Sequence, residues 1–314
     1  MDKQYDIVAI GTLAYDMILR TVDESVFTRD TTLLDEVGIS VGGGAMLSAI
    51  AAQRLGWKTA VVGKLCIDAF SDYCIDVLVK AGVDISYVTR SEADTMSLTF
   101  ALVRQSGDRH FLGRMGSNNR TLTPEDFDLS VVTRAKIVSY GSFLVLPGLD
   151  QEMPRIFRDA RRAGALTVAD CANDSYHQGS ETVLRCLPEI DYFIPSQVEA
   201  EYLTGAQEPA VMAKLLLERG CRNLIIKLGE QGCYVTNGVT ARIVPAFPVP
   251  HVSDTTGAGD NFVGGFMAGL LEGLDLFEAA RYANATAAVS VTGPGGEGAL
   301  QDKSQVLEIL KQSK

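Results

Sequence analysis

The sequence predicts an α/β fold: a doubly wound, mostly parallel sheet flanked by helices, carrying a small β lid. Three observations predict it. Short β-rich apolar runs recur along the 314 residues, several of them are continuous rather than alternating, and segments of helical periodicity lie between them. Continuous runs such as Val8-Ala9-Ile10 and Leu224-Ile225-Ile226 suit strands buried on both faces, the condition of a parallel sheet covered by helices.

Taken in order, strands are expected at 7–10, 59–62, 137–140, 166–169, 192–194 and 224–226. Helices are expected at 44–55, 69–81, 151–163, 196–203, 209–218 and 258–271. One region departs from the alternation. Residues 95–104 and 109–114 are strand-like and flank Gln105-Ser106-Gly107-Asp108, a turn signal that makes a β-hairpin. With the polar stretch 20–41, this hairpin predicts a lid formed by about 15–41 and 95–114 on a single domain spanning 1–314. No repeat, low-complexity segment or proline-rich linker divides the chain.

Composition sets outer bounds. The chain is 46% hydrophobic, and at this length a fold buries about three-quarters of its unfolded surface, which excludes disorder and fibre. A net charge of −11 without Lys/Arg clusters excludes a general nucleic-acid binder. The N-terminus is polar with no signal-like stretch, and no segment reaches the roughly 18 apolar residues of a membrane span, so a soluble, cytoplasmic protein is expected. The six cysteines form no C-x-x-C pair and read as small buried hydrophobes rather than a zinc or redox site.

The sharpest chemical signal is Asp254-Thr255-Thr256-Gly257-Ala258-Gly259-Asp260, which opens the helix expected at 258–271. Its glycines let the backbone approach a ligand, and the helix start points free N–H groups into the same space, making an anion hole. Asp260 then falls in the first helical turn, where a carboxylate can take a proton from an attacking hydroxyl. A Walker A loop is excluded, because the Gly63-Lys64 pair is followed by Leu65, and a G-x-G-x-x-G fingerprint fails at Phe262.

With this string, the chain resembles the ribokinase-like family, the PfkB carbohydrate kinases, whose signature reads D-T-T-G-A-G-D. The supporting segments follow the family's order: Gly11 to Asp16, Gly42-Gly43-Gly44-Ala45, the β-hairpin lid, and Lys227-Leu228-Gly229-Glu230-Gln231-Gly232. The resemblance implies transfer of the γ-phosphoryl group of ATP to a hydroxyl of a sugar or polyol. Asp260 would be the general base, and the N–H groups of Gly257, Ala258 and Gly259 would stabilise the transferring phosphoryl. Asp16, Gly42, Gly43 and Asp170 would meet the sugar. Lys227, Gly229, Gly232 and Asn284 would lie on the nucleotide side, Glu199 would order Mg²⁺-bound water, and a monovalent cation such as K⁺ is a candidate at 292–296.

Each role has a plain counterpart: Asp16 as a solvated loop residue, Gly229 and Gly232 as turn residues, Asn284 as a helix-surface residue, and Ser196-x-x-Glu199 as a capping box. The sequence also departs from the family. Leu47 and Ser196 stand where Asn is usual, and Asn173 is offset by one from the D-x-N pattern begun by Asp170. Arg104, Arg109, His110 and Arg114 gather on the lid, where they suit either a clamp on a substrate phosphate or carboxylate or the protection of an exposed edge strand. Pairing of the lid strands between two chains predicts a homodimer. Two alternatives stand beside the sugar kinase: a nucleoside kinase of the same family, and a non-catalytic sugar- or nucleotide-binding homologue.

Overall fold

The computed structural model describes residues 3–105 and 109–311; Ser106, Gly107 and Asp108 of the expected turn lie outside them. The strands are β1 (Tyr5–Ile10), β2 (Ala14–Arg20), β3 (Glu36–Gly42), β4 (Thr59–Cys66), β5 (Asp84–Ser91), β6 (Leu98–Val103) and β7 (Arg109–Arg114). They continue with β8 (Ala135–Phe143), β9 (Leu166–Cys171), β10 (Tyr192–Phe193), β11 (Asn223–Lys227), β12 (Cys233–Thr236) and β13 (Ala241–Val244). The helices are α1 (Gly44–Arg54), α2 (Ala69–Ala81), α3 (Ser117–Thr121), α4 (Pro147–Asp150), α5 (Met153–Arg162) and α6 (Glu181–Leu184). After these come α7 (Gln197–Thr204), α8 (Pro209–Glu218), α9 (Ala258–Leu271), α10 (Leu276–Ser290) and α11 (Lys303–Lys311).

Among the described residues a nine-stranded sheet runs β13-β12-β11-β10-β9-β8-β1-β4-β5. It is parallel except for β12 and β13, which close one edge antiparallel. Alternation across the sheet explains its two cores. Val8, Ile10 and Tyr140 pack with Phe157 of α5 and Met212 and Leu216 of α8. Ile7, Ile137, Val168 and Ile225 face Phe262 and Phe266 of α9 and Ala279 and Ala283 of α10. The continuous apolar runs are therefore covered on both sides, as a parallel sheet requires. All six cysteines are buried and reduced.

The chain runs from β1 outward through β4 to β5, then crosses to β8 and proceeds the other way through β9 to β11. Strand order reverses between β1 and β8, and a crevice opens at the C-terminal ends of strands where this happens. There the Thr12 amide and hydroxyl both lie 2.9 Å from the Ser142 hydroxyl, drawing the two strand ends together.

A second, four-stranded sheet runs β3-β2-β6-β7. It is built from the two segments expected to form the lid: 15–41 supplies β2 and β3, and 95–114 supplies β6 and β7. Asp16 therefore lies within β2, opposite Ser40 of β3 and Thr99 of β6. No helix among the described residues is long and apolar enough to cross a membrane.

Candidate active site

The site grows from the start of α9. Asp254 shapes the preceding loop: its Oδ1 accepts from the amide of Thr256 at 2.9 Å and from the Thr256 hydroxyl at 2.8 Å. Its Oδ2 accepts from the Gly295 amide at 3.1 Å. Gly257 caps the helix in the left-handed region, φ 70° and ψ 2°, and a Cβ there would lie 2.4 Å from the Gly296 carbonyl oxygen. Only glycine fits. The amides of Gly257, Gly259 and Asp260 have no protein acceptor among the described residues, whereas that of Ala258 bonds to the Thr255 carbonyl at 3.3 Å. Of the three amides expected to face a ligand, that of Ala258 is engaged, while the amide of Asp260 is free at the open helix end with those of Gly257 and Gly259.

Asp260 sits among charges from three other elements. Withdrawal from water raises its carboxyl to about 6, with Lys227 pulling it down and Glu199 pushing it up. Lys227 ends β11, and its ammonium donates to Asp170 Oδ2 at the end of β9. A Cβ built on Gly259 would lie 3.4 Å from the same ammonium, so Lys227 bridges Asp170 and the start of α9. Burial works against charging this lysine, but Asp170, Glu199 and Asp260 outweigh it, so it stays protonated. The other oxygen of Asp170 accepts from the Cys171 amide at 2.8 Å.

Glu199 belongs to the capping box of α7. Its Oε2 accepts from the Ser196 amide at 2.7 Å, and the Ser196 hydroxyl accepts from the Glu199 amide at 3.3 Å. The capping role is thus realised, while Glu199 still acts electrostatically on Asp170, Lys227 and Asp260. Among the described residues no three His, Cys, Asp or Glu side chains converge as metal ligands. This donor set suits a Mg²⁺ that arrives on nucleotide phosphates and meets Glu199 through water, rather than an ion caged by protein.

Asp16 faces the same space from the second sheet. It is 9% exposed, which removes the solvated-loop alternative. Burial raises its carboxyl to about 6; a hydrogen bond from Thr99 opposes the rise, and the charges of Asp260 and Asp254 add to it. Gly42 lies directly against it, where a Cβ would come within 2.4 Å of Asp16 Oδ2. Gly43, at φ 98°, caps α1 beside it. Asp16, Gly42, Gly43, Asp170, Glu199, Lys227 and the 257–260 turn therefore cluster at the C-terminal edge of the main sheet.

Sequence reasoning missed the residue that ties the second glycine loop, 292–296, to this turn. Asn261, 2% exposed, donates through Nδ2 to the carbonyls of Gly257 and Gly296, each at 2.8 Å. The Gly296 amide in turn donates to the Ser40 hydroxyl at 2.9 Å. Leu47, 2% exposed, wedges against both Gly257 and Gly296. It acts there as an apolar spacer between α1 and the two loops, a use that a polar family residue at this position would not predict. The available signals were Asn immediately after the signature and a serine beside the Gly-Gly segment.

The remaining expected residues lie elsewhere. Gly229 and Gly232 turn the chain between β11 and β12, at φ 60° and 94°. Asn284 is buried, not on a helix surface: its Nδ2 donates to the carbonyls of Val244 at 3.0 Å and Pro245 at 3.1 Å. A Cβ on Gly232 would strike that same Val244 oxygen, so these two residues together fix the chain after β13. Arg104 pairs with Glu24 at 2.6 Å with 58% of its side chain exposed. It stands five positions beyond Thr99, the partner of Asp16, or about 16 Å along the strand direction. The cluster does not include it.

Residues 4–303 match the family described as pfkB family carbohydrate kinase. Fructokinase-1 of Zea mays is 31% identical over 288 residues, spanning 87% of this chain and 88% of the relative. Two solved structures share the fold over 99% of this chain. Arabidopsis thaliana ribokinase complexed with ribose and ATP has a TM-score of 0.83 at 23% identity, covering 99% of that chain. Adenosine kinase from Sinorhizobium meliloti has 0.84 at 22%, covering all of that chain.

Proposed function

The chain belongs to the pfkB family of carbohydrate kinases, and from that membership we propose how its residues carry the γ-phosphoryl group of ATP to a sugar hydroxyl. The observation that carries this reading is a carboxylate, Asp260, placed beside the free amides of Gly257, Gly259 and its own residue, with a second carboxylate, Asp16, facing the same space. Asp16 accepts hydrogen bonds from sugar hydroxyls, and Gly42 and Gly43 let the sugar approach the main chain. Asp260 removes the proton of the attacking hydroxyl as the bond to phosphorus forms. The free amides and the Lys227 ammonium stabilise charge on the transferring oxygens. Mg²⁺ bound with the nucleotide supplies further charge neutralisation near Glu199.

Gly229, Gly232 and Asn284 shape the nucleotide side by fixing the turn after β11 and the chain after β13. The Asp254 carboxylate and the 292–296 loop are where a monovalent cation such as K⁺ would bind. The lid offers a homodimer surface. Val37, Ile39 and Leu112 are each about half exposed, and register places them on one face with Met17, Leu19 and Phe100. A second copy covering that face removes this apolar area from water. A location in the cytoplasm, with its ATP supply, suits the activity.

An ADP-release assay over neutral sugars, sugar acids and nucleosides tests the reading. A neutral ketose or pentose with clear turnover is expected. Turnover confined to nucleosides would move the chain to the nucleoside kinases, and none across the panel would make it a binding homologue.

A further inference from the structure

We propose that Asn261 and Ser40 are positioning residues that link the seating of the β2-β3-β6-β7 sheet to the assembly of the anion hole. The inference rests on the kinase reading above. Gly257 is the pivot of the phosphate-facing turn, and its carbonyl receives two hydrogen bonds from one residue: the Asn261 amide at 2.9 Å and the Asn261 side chain at 2.8 Å. The plane of the Gly257–Ala258 peptide is thereby held, and with it the direction of the free amides that follow. The same Nδ2 group holds the Gly296 carbonyl. Gly296 donates to Ser40, and the Ser40 hydroxyl itself contacts the Val41 carbonyl at 3.3 Å, so this hydroxyl has a fixed orientation.

Ser40 is the register partner of Asp16. The strand pair that holds the acceptor-binding carboxylate is therefore joined by two residues, Gly296 and Asn261, to the turn that meets the phosphoryl group. Close contact makes the link stiff. Side chains are excluded at Gly257 and Gly295, where a Cβ would lie 2.4 Å from the Gly296 oxygen and 2.6 Å from the Ser40 hydroxyl. Leu47 packs against both Gly257 and Gly296 and fills the space between the loops. When an acceptor hydroxyl draws Asp16 and its sheet onto the crevice, Ser40 registers Gly296, and Asn261 sets Gly257. Sugar binding and phosphate binding become thermodynamically coupled.

The test measures that coupling directly. The affinity for a non-hydrolysable ATP analogue with Mg²⁺ is determined by calorimetry with and without the sugar that the wild type turns over best. The wild type is expected to bind the analogue at least fivefold tighter with sugar present. Ser40→Ala should leave sugar-free binding within twofold, reduce the sugar effect to under twofold and lower kcat about tenfold; Ser40→Thr, which keeps the hydroxyl, should recover most of both. Asn261→Ala should lower kcat about a hundredfold, and the double variant should lose no more than Asn261→Ala alone. Matched thermal melts show whether each variant is folded. An unchanged sugar effect in Ser40→Ala, or strictly multiplicative losses in the double variant, overturns the link while leaving the kinase reading intact. A wild type that turns over no sugar refutes both.

Discussion

Replacing Asp260 by Asn keeps the side chain's shape and removes the carboxylate proposed as the base. General base catalysis by a positioned group is worth about 10²–10⁴-fold, so kcat should fall about a thousandfold while the KM for ATP stays within about threefold. The raised carboxyl adds a pH signature. With a midpoint at about 6, the ionised fraction drops from about nine-tenths at pH 7 to about one-tenth at pH 5, so wild-type kcat should fall about tenfold over that interval. The residual activity of the variant should lack this limb. A limb that persists only in kcat/KM for the sugar belongs to Asp16, also raised to about 6.

The same shift gives a stability prediction of definite sign. Between about 4 and 6 the folded chain holds the Asp260 proton more tightly than the unfolded chain, so stability falls as pH rises through that window and levels off above it. Asp260→Asn should therefore be more stable than the wild type at pH 7, by about 1–3 kcal/mol, and the gain should vanish near pH 4. Coupled ADP-release kinetics and urea melts across pH 4–8 read all three effects. A variant retaining more than a tenth of wild-type kcat, or keeping the acid limb in kcat, would refute the assignment of Asp260 as base.

Three other outcomes follow from neighbouring features. Lys227→Met leaves the Asp170 carboxyl buried without its cation and should cost about 3–5 kcal/mol in a urea melt; adding Asp170→Asn should restore most of the stability while activity stays at least a hundredfold down. Gly257→Ala forces a Cβ toward the Gly296 oxygen and turns the amides away, so kcat should fall at least a hundredfold with smaller change in sugar affinity. Val37→Glu with Ile39→Glu should yield a monomer in light scattering at micromolar concentration, whereas an unchanged dimer would exclude that face.

The main sheet was readable because both-face burial writes itself into continuous runs such as Leu224-Ile225-Ile226, and the helices at 69–81, 209–218 and 258–271 carry their own periodicity. Within the expected lid, β3 carries little strand signal of its own. It is interrupted by Gly38 and follows the polar residues 21–35, so 20–41 looks polar on average, although Asp16 of β2 and Ser40 of β3 share one face of the sheet and Met17 and Ile39 the other. The clustering of Asp260, Lys227, Glu199 and Asp170 depends on strand order, which no local pattern encodes. Asn261 was passed over because its role is set by a carbonyl 35 residues away in sequence. The family resemblance suggests Asn284, and the gathering of cations on the lid suggests Arg104; the partners that engage them here, the Val244 carbonyl and Glu24, are tertiary neighbours.

The burial of every cysteine has a practical corollary. Desolvation pushes the thiols up, Cys66 to about 11 and Cys74, Cys221 and Cys233 to about 12, so none offers a thiolate to solvent at neutral pH. A single cysteine introduced on the outer face of β3 would therefore react alone with a maleimide dye. The native chain is already a labelling background, ready for fluorescence measurements of lid movement without first removing any residue.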